Sequence, residues 1–247
     1  MPFLQNADAS IYYEDVGTGY PVLLFAPGAM NACIPKWHAL PGSLDPYMGL
    51  GKEFRLIGFD QRHAGQSKAP IKVTDGWGPR AGDAVALIRH LGLTSFAIEA
   101  CCIGPCDALK ALELLGDDIS RVTAFVNLNP AGIDGPNRGR FMAMFYKWAE
   151  ELPAEMRSGP ALNDPVLASF AENMFGGDFV FSVSRDFVRG LQMPMLVAPG
   201  TDMAHPEALG REVAALVPNA ELYMGWAANP EDCAKRVFTF LKDHTAG

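Results

Sequence analysis

The sequence predicts an α/β chain in which helices cover both faces of a mostly parallel central sheet and one helical insertion interrupts the alternation. Apolar runs of strand length recur along the chain, and segments of helical period fall between several of them. One long stretch carries helical spacing and no strand signal.

The strand runs are Ile11 to Tyr13, Val22 to Phe25, Arg55 to Phe59, Phe96 to Ile98, Val122 to Val126, Met195 to Ala198, and Leu222 with Tyr223. Turn residues bound them, in a chain with 25 glycines and 19 prolines. Ala84, Val85, Leu87, Ile88 and Leu91 have helical spacing, as do Ala108, Leu109, Leu112 and Leu115, and later Val237, Phe240 and Leu241. Strands alternating with such helices need crossovers, which bury a parallel sheet on both sides. From Ala131 to Gly190 no strand is evident, while Phe141, Met144, Phe145 and Trp148 repeat at helical spacing. The organisation is therefore a core of residues 1–130 and 191–247 with a helical cap, or lid, at 131–190. Its aromatic stripe reads either as ordinary core packing or as the roof of an apolar substrate pocket.

Composition narrows the function classes. A chain of 247 residues that is 49% hydrophobic can bury one sizeable core. A net charge of −8 does not favour the clustered positive potential of a nucleic-acid groove. No run approaches the roughly 20 apolar residues of a membrane span, and the Met-Pro-Phe-Leu start lacks a basic segment leading into an apolar one. A cytoplasmic protein acting on a small molecule is expected, and these features do not bear on its oligomeric state. Five cysteines are an odd number, read as thiols rather than a disulfide framework. The chain has no phosphate loop, dinucleotide fingerprint or CxxC pair, so neither a cofactor nor a metal is expected.

In an open parallel sheet, ligands bind beyond the carboxyl ends of the strands, so the residues following each strand carry the chemistry. After Phe96 to Glu99 come Ala100, Cys101, Cys102, Ile103 and Gly104, and then a helix. Small residues on both sides of Cys102 permit a sharp strand-to-helix turn that raises its side chain. The helix N-terminus behind it favours the thiolate.

This segment resembles the nucleophile elbow of the α/β-hydrolase superfamily, with Cys102 where serine is usual, as in dienelactone hydrolase. Val22 to Ala29 is similar to the family's third strand and oxyanion loop, with Pro27 replacing a histidine. By that resemblance, the backbone N–H groups of Ala29 and Ile103 would hold an oxyanion. Asp60 to Ser67 resembles a family loop in which Asp60 and Arg62 act as braces. Met195 to Asp202 looks like the strand and loop bearing the triad acid, which assigns that role to Asp202.

The family's base follows the last strand, where this chain has Trp226 after Gly225. An indole accepts no proton at neutral pH. His205, three residues after Asp202 in the same loop, is the replacement candidate. Trp37, His38, Phe145, Trp148 and Trp226 are candidate pocket residues. Glu99, if buried, must be paired or protonated, with Arg62 a candidate partner. The expectation is hydrolysis of a small apolar ester, lactone or thioester through a cysteine nucleophile. The alternatives are a binding protein that has lost the chemistry and a non-hydrolytic lyase or transferase.

Overall fold

The structure, a computed structural model, describes residues 2–245. Its strands are β1 (Phe3–Asn6), β2 (Ala9–Val16), β3 (Tyr20–Phe25), β4 (Phe54–Phe59), β5 (Phe96–Cys101), β6 (Val122–Leu128), β7 (Met195–Ala198) and β8 (Ala220–Leu222). The α-helices are α1 (Pro46–Gly49), α2 (Trp77–His90), α3 (Gly104–Leu115), α4 (Arg138–Glu150), α5 (Pro165–Phe175), α6 (Arg185–Gly190), α7 (Glu207–Leu216) and α8 (Pro230–Thr245). Each expected strand is present. β1 adds one that the sequence reading did not anticipate, because its FLQN run is too short and too polar to register as a strand.

The strands form one sheet in the order β1-β2-β4-β3-β5-β6-β7-β8. β1 with β2 and β2 with β4 run antiparallel, and every pair from β4 through β8 is parallel. The chain leaves β3 towards β4 on one side and returns to β5 on the other, so strand order reverses between β3 and β5. A crevice opens at such a switch point. Register then aligns the strand ends: Phe25 pairs with Ala100, Cys101 with Leu128, and Leu128 with Ala198. The next residues of four strands therefore emerge along one edge.

Apolar side chains fill both faces of the sheet. One core contains α2 and α3 residues such as Leu87 and Leu112, and the other contains Val237 and Phe240 of α8. Between β6 and β7 the chain is helical, with α4, α5 and α6 joined by short 3₁₀ turns. Phe141, Phe145, Trp148, Phe170 and Phe175 of this segment are buried and continuous with the first core, where Trp77 of α2 packs edge-on to Phe175. The aromatic stripe is thus core packing. No described helix is long and apolar enough to cross a membrane.

A buried ion pair ties the two helices behind the crevice. Arg80 of α2 donates from Nε and Nη2 to the carboxylate of Asp107 in α3, at 2.8 and 2.7 Å, with both side chains 0% exposed. Removing one partner strands a charge in the core. Asp107→Ala is expected to cost about 3–5 kcal/mol of stability, read as a lowered urea midpoint with the slope unchanged.

Candidate active site

Cys102 directly follows β5, with φ of 62°, the left-handed conformation of a tight turn. Two backbone bonds fix it: its N–H donates to Leu128 O at 3.1 Å, and its C=O accepts from Ala131 N at 3.0 Å. Gly104 lets the following helix pass close to β3, since a Cβ there would lie 2.1 Å from the Phe25 carbonyl oxygen. α3 begins at Gly104, so its N-terminus stands behind the thiol.

Asp202 and His205 share the loop between β7 and α7. Asp202 Oδ1 accepts from the backbone N–H of Ala204 at 2.7 Å and of His205 at 3.1 Å, which closes a tight turn. That turn brings His205 Nδ1 to within 3.0 and 2.9 Å of the two Asp202 carboxylate oxygens. His205 Nε2 lies 3.1 Å from Cys102 Sγ. The structure therefore brings Cys102, His205 and Asp202 into one hydrogen-bonded line. The acid end is open, with the Asp202 side chain 63% exposed and that of His205 13%.

The electrostatics of the line favour charge separation. Burial alone would raise the Cys102 thiol, but the His205 hydrogen bond, the charge on that ring and the backbone amides of Gly28 and Ile103 outweigh it and hold the thiol below its ordinary value. Burial would likewise depress His205, yet Cys102 and then Asp202 push it up to about 9. Desolvation raises Asp202 less than the His205 contacts and backbone donors lower it, so the carboxyl sits below its ordinary range. The Cys102 and His205 shifts act in the same sense, towards a thiolate beside an imidazolium.

Two backbone amides help lower the Cys102 thiol, that of Ile103, expected at an oxyanion hole, and that of Gly28, the residue before Ala29. Gly28 and Ala29 both have positive φ, 122° and 54°, in the turn that follows β3. A Cβ on Gly28 would meet Asn31 O at 2.9 Å and Lys36 Cγ at 3.0 Å.

The candidate pocket residues are not gathered in one place. Trp37 and Phe145 are wholly buried in opposite cores, which leaves no surface for a ligand. Trp148 packs with Phe145 and Phe170, and His38 is exposed and paired with Asp45 at 2.7 Å. Trp226, where the resemblance led us to expect a base, donates from Nε1 to Pro199 O at 2.7 Å and so braces the start of the loop that holds Asp202 and His205.

Arg62 does not pair with Glu99. It binds Asp83 at 2.7 and 2.9 Å and Asp75 at 3.3 Å, while Asp60 accepts from Ile34 N and Gln66 N, so both residues brace the loop as expected. Glu99 faces the other side of the sheet, towards Ala234 and Val237 of α8, because alternate residues of β5 point to opposite faces. Its Oε2 has no hydrogen-bond partner among the described residues. Burial, with a smaller contribution from Asp45, pushes it up to about 8.

No protein-family model matches the chain, and no curated protein matches it in sequence. Solved structures do resemble it. A meta-cleavage product hydrolase from Pseudomonas fluorescens superposes with a TM-score of 0.71 at 16% identity, covering 98% of each chain. An esterase from Exiguobacterium antarcticum gives 0.70 at 18% identity over 97% of this chain and 98% of its own. An enzyme described as degrading N-acyl homoserine lactones gives 0.67 at 21% identity over 97% and 100%. These likenesses, over nearly the whole length, establish the α/β-hydrolase fold.

The pH behaviour follows from the signs. His205 is raised, so its contribution to stability is whole below its ordinary 6.5 and is lost as pH rises through about 9. Cys102 is lowered, so its contribution is present above its ordinary 9.0 and is lost as pH falls through the folded value. Iodoacetamide alkylation of Cys102 is expected to remain fast below the ordinary thiol range. His205→Ala should slow it at pH 6.5, because the thiol loses the partner that lowers it, with adduct formation followed by mass spectrometry. Glu99→Gln is expected to stabilise the fold, with a gain that grows as pH rises from the ordinary 4.5 through about 8; thermal melts across that range check it.

Proposed function

We propose that this chain hydrolyses a carboxylic ester, lactone or thioester of a small molecule through a Cys102 thiolate. The observation that carries the reading is the 3.1 Å contact between His205 Nε2 and Cys102 Sγ, continued to Asp202 through Nδ1. In this reading Cys102, His205 and Asp202, from the ends of two strands, would take the three roles of a nucleophilic triad.

In this reading the thiolate attacks the substrate carbonyl carbon and the carbonyl oxygen becomes an oxyanion. The amides of Ile103 and of the Gly28–Ala29 turn receive it, because backbone donors are fixed in place before the reaction. The intermediate collapses as the bond to the leaving oxygen or sulfur breaks, and imidazolium His205 gives that atom its proton. A thioester to Cys102 remains. Neutral His205 then takes a proton from water as the water attacks the acyl carbon. The second collapse releases the carboxylic acid and returns the sulfur as thiolate, with His205 protonated. Asp202 keeps the Nδ1 proton in place throughout and stabilises the imidazolium.

Hydrolases, an esterase and a lactone-degrading enzyme among the structural neighbours support the same class of reaction. The segment at 131–190 would act as the cap over the thiol, through the surfaces its buried aromatics leave free. Thiolate chemistry also answers why a base on an exposed loop suffices: a thiol ionised at rest needs no base at the moment of attack.

The test is a panel of p-nitrophenyl esters, lactones and thioesters. Wild type is expected to release product and to show an acyl adduct on Cys102 by mass spectrometry. Cys102→Ala should abolish both, a loss of at least about a thousandfold. The reading fails if no member of the panel gives Cys102-dependent release or an adduct.

A further inference from the structure

The proposed base sits on an irregular loop whose acid is largely exposed, yet proton transfer to sulfur requires placement within a few tenths of an ångström. Bonds inside the loop shape its turn without attaching it to the elbow. Three contacts from outside do attach it. Trp226 Nε1 holds Pro199 O at 2.7 Å, Gly132 N donates to Ala204 O at 3.3 Å, and Asn137 Nδ2 donates to Met203 O at 2.8 Å.

Asn137 is the most committed of these groups. It is 3% exposed, and its amide is used in both directions: Oδ1 accepts from Asp134 N at 3.1 Å, and Nδ2 also donates to Gly132 O at 2.9 Å. Gly132 follows Ala131, whose N–H is bonded to the Cys102 carbonyl. Met203 lies two residues before His205. Asn137 thus closes a ring that runs from Cys102 through Ala131, Gly132 and Met203 to His205 and back across the sulfur contact. Apart from Cys102, it is the side chain outside residues 201–205 that hydrogen-bonds them, among the described residues.

We propose that Asn137 is a positioning residue that fixes His205 against the Cys102 sulfur by clamping the acid–base loop to the strap leaving β6. The inference rests on the reading of Cys102 and His205 as a reactive pair. It adds that the pair's geometry is set from the first turn of the helical segment, so that a displacement of that segment reaches the base through one amide group. A buried amide with both N–H donors and its oxygen engaged holds its partners tightly, because losing one of these bonds leaves a buried donor or acceptor unsatisfied.

The experiment compares the pH–rate profile of Cys102 alkylation by iodoacetamide in wild type, Asn137→Ala and Asn137→Ser, with Asn173→Ala as a control. Asn173 anchors a different loop in the same manner, donating to Val73 O at 3.0 Å and Asp75 O at 2.8 Å. In either Asn137 variant the thiol titration is expected to move up towards its ordinary value. Alkylation at pH 6 should slow at least about tenfold, and kcat on a reactive ester should fall more than KM rises. Asn173→Ala lowers the melting temperature and leaves the titration in place. Should Asn137→Ala fail to fold, the smaller polar change Asn137→Ser carries the comparison. A variant at 137 that folds and titrates as wild type overturns the inference. A wild-type thiol that titrates at its ordinary value instead overturns the pairing beneath it, and the two failures are told apart by which protein shows them.

Discussion

The Cys102–His205 contact depends on a constraint imposed far beneath it, the register that brings β3, β5, β6 and β7 to an end along one line. Parallel pairing of Phe25 with Ala100, Cys101 with Leu128 and Leu128 with Ala198 sets the heights at which the chain leaves the sheet. A slip of one residue in β5 would turn Cys102 to the opposite face, as period-two geometry demands. The same reversal of side-chain direction sends Glu99 towards α8, away from Arg62.

Around that line the chain accepts strain where it gains position. Ala29, Cys102 and Asn129 all take positive φ at the carboxyl edge of the sheet, and Gly28, Gly104 and Gly200 leave out side chains where backbones approach closely. A Cβ on Gly200 would sit 2.4 Å from the Cβ of His205 and 2.1 Å from Asn129 Oδ1. The buried Arg80–Asp107 pair holds α2 to α3 behind the elbow, so the helix aimed at the thiol cannot drift. Strain of this kind persists only where surrounding structure over-determines it.

Placing Asp202 and His205, the proposed acid and base, on one short loop changes what must be held. When the two groups come from separate strands, sheet and helices fix each of them independently. Here one turn, closed by Asp202 on the amides of Ala204 and His205, delivers both, and its rigidity rests on Trp226, Gly132 and Asn137 at its margins. Trp226 is then a brace occupying the ground the resemblance reserves for a base. The 3.1 Å contact of His205 Nε2 with Cys102 Sγ also ties the loop to the elbow.

Much of this was legible in the sequence, for local reasons. Apolar runs and helical periods declare strands and helices through burial alone, so the core strands and α2, α3 and α8 followed directly, while β1, short and half polar, did not. The small residues around Cys102 and the loop holding Asp202 and His205 mark chemistry through backbone geometry, which a neighbouring residue's size reveals. Nothing local could show that Trp37 and Phe145 lie in opposite cores, or that Glu99 faces away from Arg62. Asn137 was invisible for the same reason: an asparagine after Gly-Pro reads as a turn, and its partner Met203 is sixty-six residues away. The sequence by itself singled out Cys102, Asp202 and His205 as candidates and the edge of the sheet they would share. Only the tertiary structure decided their distances and partners, because these depend on strand register and on side chains far apart in the chain meeting in three dimensions.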